Sequence, residues 1–331
     1  MQYGFSIKRK CYLLSVLLMT VWLTGCVQEE FESTPSPAGN GIRFTLTVPD
    51  VNLPSVSSRT MTGTGTAKKE DEIETVDILV FDMLKTPAVY LEWVSATGVT
   101  QDLADNSTVS FSAVLSPTTA STCIVVVANK ELDGIVSGFT KGVTTKVRAM
   151  EEMLHTQTGK WLADGSTTGG YTRIPMYGEK VISKITPSMN PITDINMKRM
   201  LARIDIRNNS VTSNFTVEEV YLANYNTTGY IAPAWNTNGQ VTEPAPDTPV
   251  LPTGSGKMTE EGNAILYSVN GNTPYDGEIY TFESLAAGDA GGAGQDGEAS
   301  RKDATCLIVK GRIGTGESTF YRVDFTKTGN L

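Results

Sequence analysis

His155 is the only histidine in the chain, and that solitude removes two kinds of chemistry at once. A serine, histidine, aspartate relay needs an imidazole held by its partners, and a multi-histidine metal centre needs several. His155 lies in a stretch of helix-forming composition and reads as a helix-surface residue. Carboxylates are plentiful, with 36 Asp and Glu, yet nothing marks two of them as a facing pair of the kind that hydrolyses glycosides. Asp289 and Asp296, in "GDAGGAGQDGE", fit no calcium loop and read as a solvated turn. "GTGTAKKED" lacks the glycine spacing of a phosphate cradle. No catalytic, cofactor-binding or metal-binding residue is assigned, so no enzyme activity is expected. Cys123 and Cys306 sit within "STCIVVVAN" and "ATCLIVKG", where a lone thiol behaves as a small buried hydrophobe.

Cys26 differs from these. Lys8, Arg9 and Lys10 precede thirteen uncharged residues, Cys11 to Leu23, and basic followed by apolar is the order of a secretory signal. The apolar run is too short for a comfortable membrane span. It ends Leu23, Thr24, Gly25, Cys26, which resembles the bacterial lipoprotein signal, where the thiol is acylated and the chain is cut just before it. Residues 1–25 are then a signal peptide. A Cys26 carrying more than one acyl chain, palmitate among them, is stably anchored at about 0.8 kcal/mol per buried CH₂. Val27, Gln28, Glu29 and Glu30 resemble the acidic signal that sends Bacteroidota lipoproteins to the outer face of the outer membrane. The tether, residues 26–40, continues through "FESTPSPAGN", whose prolines and small polar residues favour an extended linker.

What must be positioned after the tether is a series of strands. "GIRFTLTVP" alternates Ile42, Phe44, Leu46 and Val48 with Arg43, Thr45 and Thr47, the period of a half-buried strand. A polar loop, "SSRTMTGTGTAKKEDE", separates it from "VDILVFD". Further strands are expected at "VYLEWVS", "STVSFSAVL", "CIVVVAN", "KVISKI", "MLARIDI", "VEEVYLANY", "AILYSV", "EIYTFES", "CLIVKGRI" and "FYRVDF". One helix is expected, Lys146 to Thr156, with Val147, Met150, Met153 and Leu154 on one face. Short strands in this number point to a mainly β chain of sandwich architecture with one or two short helices.

The chain's 331 residues exceed what one compact core usually serves, so two domains are expected, 41–208 and 209–331, divided at the polar turn formers "NNSVTS". Losing Lys8, Arg9 and Lys10 with the signal takes the formal charge from -9 to -12. An acidic surface of that size argues against nucleic acid as a partner.

The order of segments resembles the fimbrial subunits of Bacteroidota, the type V pilins or fimbrillins. The pieces that carry the resemblance are the lipobox ending at Cys26, "SSRTMTG" before "VDILVFD", "IVVVANKEL", "IPMYGE", "MKRMLARIDI", and "CLIVKGRI" followed by "FYRVDF". The resemblance implies two transthyretin-like β-sandwich domains, export as a lipoprotein, and assembly into an adhesive fibre. It also implies a trypsin-like protease that cuts the loop after the first strand. On this chain the cut falls between Arg59 and Thr60, Arg59 being the only arginine between Arg43 and Arg148, with Lys68 and Lys69 as rival sites. The implied partners are other fimbrial subunits joined by donor-strand exchange, the processing protease, the outer membrane through the lipid, and host or bacterial surface receptors.

Losing the strand with Ile42, Phe44, Leu46 and Val48 uncovers a groove worth about 6 to 12 kcal/mol in apolar burial, which a neighbour's strand can recover. Relatives continue past the segment matching "FYRVDFTKTGNL" with further strands, so the carboxyl-terminal domain is either incomplete here or accepts a strand without giving one. Two other readings stand beside this one. The first is an uncleaved fimbrial anchor. The second is a surface glycan-binding lipoprotein whose sugar platform draws on Trp93, Trp161, Trp235 and the tyrosines from Tyr221 to Tyr230.

Overall fold

The computed structural model describes residues 42–47, 70–101, 108–162, 172–187, 189–206, 208, 214–243, 249–254, 262–268, 275–287 and 304–325. Cys26, Val48, Arg59, Thr60, Asp289 and Asp296 lie outside them. In chain order the strands are β1 Ile42–Thr47, β2 Val76–Asp82, β3 Val89–Ser95, β4 Thr97–Gln101, β5 Thr108–Ala113 and β6 Thr122–Ala128. Helices α1 Asp133–Val136 and α2 Lys146–Glu152 follow. The chain goes on through β7 Leu154–Thr156, β8 Met176–Ile182, β9 Ile192–Asn196, β10 Lys198–Arg199, β11 Leu201–Ile206 and β12 Phe215–Ala223. Last come β13 Thr228–Tyr230, β14 Ile265–Ser268, β15 Tyr275–Phe282, β16 Cys306–Ile313 and β17 Thr319–Asp324. The chain is mainly β, as its pattern of alternation predicts.

Two sheets face each other across the first core. One runs β4-β5-β1-β9, the other β10-β8-β6-β2-β3. Ile42, Phe44 and Leu46 from the first meet Ile78, Val80 and Ile124 from the second in one apolar cluster. The five-stranded sheet is buried on its other face too, where Leu79, Phe81, Cys123 and Val125 meet Met150 and Met153 of the helical segment. Burial on both faces is why "VDILVFD" and "TCIVVVA" are nearly continuous apolar runs rather than alternating ones. A third cluster lies between the sheet β14-β12-β16-β17 and the ribbon β11-β15, and holds Val220, Leu222, Tyr267 and Ile279.

The expected helix is shorter than its composition predicts. Thr145 caps it, its side chain accepting from the Arg148 amide, as an N-cap threonine does. It ends at Glu152, because Leu154, His155 and Thr156 pair with Tyr230, Gly229 and Thr228. Tertiary pairing overrides local propensity there, so His155 is a strand residue and not a helix-surface one. The strand expected at "KVISKI" begins earlier, at Met176. Its Gly178 lies where an added Cβ would come within 2.7 Å of Met197 Sδ and 2.9 Å of Ile195 Cγ2. A glycine inside a strand commonly marks such a close approach.

Candidate functional site: the first strand and its groove

β1 is bound on both sides. It pairs antiparallel with β5, Ile42 opposite Ala113, Phe44 opposite Phe111 and Leu46 opposite Val109. On the other side it runs parallel to β9, Phe44 opposite Ile192 and Leu46 opposite Ile195. Phe44 and Leu46 are 0% exposed and Ile42 4%, while Arg43 and Thr45 on the opposite face are half-buried. The alternation in the sequence thus has its cause: one face of the ribbon lies against the five-stranded sheet.

β9 escapes sequence reading for a physical reason. Three steps along β9, from Ile192 to Ile195, span the distance covered by two steps of β1, a bulge that breaks the period of two. Asp194 takes the left-handed conformation there, φ 59°, and its carboxylate lies 3.6 Å from Lys180 Nζ. "ITDIN" therefore shows isoleucines three apart. β5, by contrast, alternates cleanly and was legible.

The chain re-enters the described residues at Glu70, and it re-enters tied down. Glu70 is buried, and its Oε1 accepts from Arg203 Nη1 at 2.8 Å and from the Tyr280 hydroxyl at 2.5 Å. Arg199 pairs with Asp71 and donates to the Glu70 carbonyl. Arg173 reaches Glu72 at 3.1 Å and Glu74 at 2.7 Å. The acidic run "EDEIE" is thus clasped by three arginines, directly after the segment that holds Arg59, Lys68 and Lys69. Nothing in the local sequence announces the clasp, because its basic half comes from residues a hundred or more positions away.

Several of the other groups singled out by type sit in or against the apolar clusters. Trp161 is buried, lies tilted against His155 with centroids 5.0 Å apart, and donates from Nε1 to the Thr172 carbonyl. Tyr225 is buried in the third cluster. Trp93 and Trp235 pack against the middle cluster, and Tyr230 meets Trp235 edge-on at 4.9 Å. A sugar platform needs an exposed face, and the buried Trp161 and Tyr225 offer none. Burial lowers the pKa of His155 below its ordinary value, with the Lys130 charge adding to the effect. Burial pushes the Cys123 thiol up to about 11, so at neutral pH it is protonated and a poor nucleophile. Cys123 and Cys306 are both buried.

Lys146, fully buried, pairs with Glu179 Oε2 at 2.6 Å, and the Tyr177 hydroxyl donates to the same oxygen. Tyr177 and Glu179 line an open cleft of about 390 Å³, together with Asp194, Lys198 and Glu243. Among the described residues no cluster of acids, histidines and cysteines could hold a metal ion, and no helix is long and apolar enough to cross a membrane.

The sequence matches no protein-family model and no curated protein. Similar solved structures include the tip fimbrial protein of Porphyromonas gingivalis with a carboxyl-terminal truncation, 15% identical, with a TM-score of 0.48 and coverage of 88% of this chain and 84% of that one. They include a fimbrial assembly protein from Parabacteroides distasonis, at 12% and 0.39, covering 86% and 88% of the two chains. They also include the fimbrial anchor protein of Porphyromonas gingivalis, at 12% and 0.34, covering 86% and 82%.

Proposed function

We propose that the chain is a structural subunit of an adhesive surface fimbria, exported as a lipoprotein acylated on Cys26 and assembled by strand exchange after a trypsin-like cut between Arg59 and Thr60. The observation that carries this reading is the setting of β1. It is a six-residue ribbon with its apolar face fully buried, joined to the rest of the fold by the segment that holds Arg59. A cut anywhere between β1 and Glu70, at Arg59, Lys68 or Lys69, leaves β1 held only by non-covalent contacts. Glu70 stays where the arginine clasp holds it.

β1 lies inside its sheet, and this shapes how it can leave. Departure alone would expose three core side chains, about 5 to 9 kcal/mol of apolar burial, and would strand β9 without its pairing partner. Unassisted loss is therefore rare. Replacement residue by residue avoids the open state, because each incoming pair of backbone bonds forms as an old one breaks. Cleavage then acts as a licence for exchange and not as the exchange itself. The two-domain division, 41–208 and 209–331, is kept as part of the proposal, and β11, which ends at Ile206, pairs with β15 across it.

The uncut anchor is the competing outcome, and amino-terminal sequencing separates the two. Protein recovered from fibres that begins at Thr60 supports the processed subunit. Fibre-associated protein that retains an acylated Cys26 supports the anchor. Absence of this chain from fibres, judged by immunogold microscopy of cells with and without the gene, overturns both.

A further inference from the structure

Three side chains of β1 enter the core, and the sites they fill differ in shape. Ile42 lies across from Ala113, and Leu46 lies between Val109 and Ile195. Both sites are walled by aliphatic groups. The central site is walled by a ring. Phe44 and Phe111 stack with centroids 5.0 Å apart and planes inclined by only 6°, and both are buried. Two parallel rings at that separation define a slot that a flat group fills. A branched aliphatic group leaves gaps in it, and in an interior packed at crystal density such gaps forfeit contacts outright.

The same point fixes the register. The bulge in β9 falls between its pairings with Phe44 and Leu46, so a ribbon shifted by one residue would meet the bulge with the wrong face. Direction is fixed as well, since the ribbon must run antiparallel to β5 and parallel to β9.

We infer that the groove left by β1 selects its incoming strand at the central position, taking an extended segment of a second polypeptide that places a planar aromatic residue against Phe111 and runs antiparallel to β5. This rests on the strand-exchange reading and adds the chemistry of the donor. The two flanking positions ask only for aliphatic bulk. The centre discriminates.

The test uses the full chain nicked by trypsin in the segment after β1. Fluorescent synthetic peptides with the sequence of residues 41–49, GIRFTLTVP, are offered to it, and entry is read by co-elution and anisotropy. The native peptide should exchange in. The peptide with Phe44→Leu should bind about tenfold more weakly, the order expected when an aromatic pair is lost along with its area, and the Phe44→Ala peptide more weakly still. Ile42→Leu should cost less than Phe44→Leu, and the reversed sequence should not enter. In nicked protein carrying Phe111→Leu the preference for Phe over Leu should shrink; if that variant does not fold, the peptide series on the unsubstituted chain decides alone. Equal binding of the Phe and Leu peptides overturns the inference while leaving strand exchange standing. Refusal of every peptide, the native sequence included, overturns strand exchange and the inference with it.

Discussion

β1 and β17 are six-residue strands near opposite ends of the described chain, each with a single arginine; β1 alternates apolar with polar residues, whereas β17, TFYRVD, puts the large side chains Phe320 and Tyr321 on opposite faces. Among the described residues β1 has two neighbours in its sheet and β17 has one, β16. The apolar face of β1 is closed. Along β17, Phe320 is 61% exposed, with Tyr321 and Val323 at 40% each, and Ile313 at the end of β16 reaches 63%. Strand-forming side chains therefore specify a strand in both places but burial in only one. What decides burial is the opposite layer: a five-stranded sheet lies across from β1, whereas the layer facing the β17 sheet is, among the described residues, the two-stranded ribbon β11-β15. The edge at β17 is softened by charge instead. Lys310 Nζ sits 5.9 Å from the Phe320 ring, and Arg322 pairs with Asp324 at 2.6 Å, as unpaired edges commonly require.

The largest effect should come from Phe44→Ala. Truncating a fully buried ring costs about 3 to 5 kcal/mol, measured as a fall in the urea midpoint of the intact chain. A loss under about 1 kcal/mol would mean that β1 is not core, and the contrast with β17 would vanish. Next comes Glu70→Ala, which strips a buried carboxylate from Arg203 and Tyr280. Breaking such a pair costs about 3 kcal/mol, and the loss should survive nicking, because the clasp lies downstream of the cut. If nicking abolishes the cost, β1 and the clasp are one unit and not two.

How much of this was legible follows from which interactions are local. "VDILVFD", "VYLEWVS" and "CLIVKGRI" give β2, β3 and β16 residue for residue, because a run of apolar or alternating residues states its own burial. β9 was not legible, since the bulge at Asp194 destroys the period. The end of α2 was not legible either, because the competing partner of Leu154 to Thr156 lies at Thr228 to Tyr230. The ribbon Ile42 to Leu46 could be read as a buried strand, but not as one lying between β5 and β9. That placement is set by residues far along the chain, and so is the stacked ring of Phe111.

A smaller effect concerns the cluster between the two regions, where His155 packs against Trp161 and Phe282. Its pKa is lowered on folding. Between the lowered folded value and the unfolded value near 6.5, the unfolded chain binds more protons, so stability falls as pH drops through that window and is fully present above it. Burial raises the pKa of Glu283, which acts in the opposite sense above about pH 4.5. His155→Gln should therefore flatten the fall in thermal midpoint between pH 7.5 and 5.5. An unchanged slope would assign the dependence to other groups, and the β1 and β17 variants should be compared at pH 7.5, where His155 is neutral.

The smallest expected effect is the most diagnostic. Phe320→Ala removes a ring as large as that of Phe44, yet Phe320 is already 61% exposed, and its ring meets Tyr221, at 6.4 Å between centroids, and Lys310. Truncation there should change the urea midpoint by no more than about 0.5 kcal/mol, the range of ordinary surface substitutions. Concentration separates the two ways in which that expectation can fail. A larger loss that is independent of protein concentration would mean that other residues of the same chain cover β17 in solution. A larger loss that grows with concentration, together with a fall in apparent mass by ultracentrifugation, would mean that a second copy covers it. Either result would turn an exposed edge into a partnered one, and the difference between the two strands would then lie in what covers them and not in whether anything does.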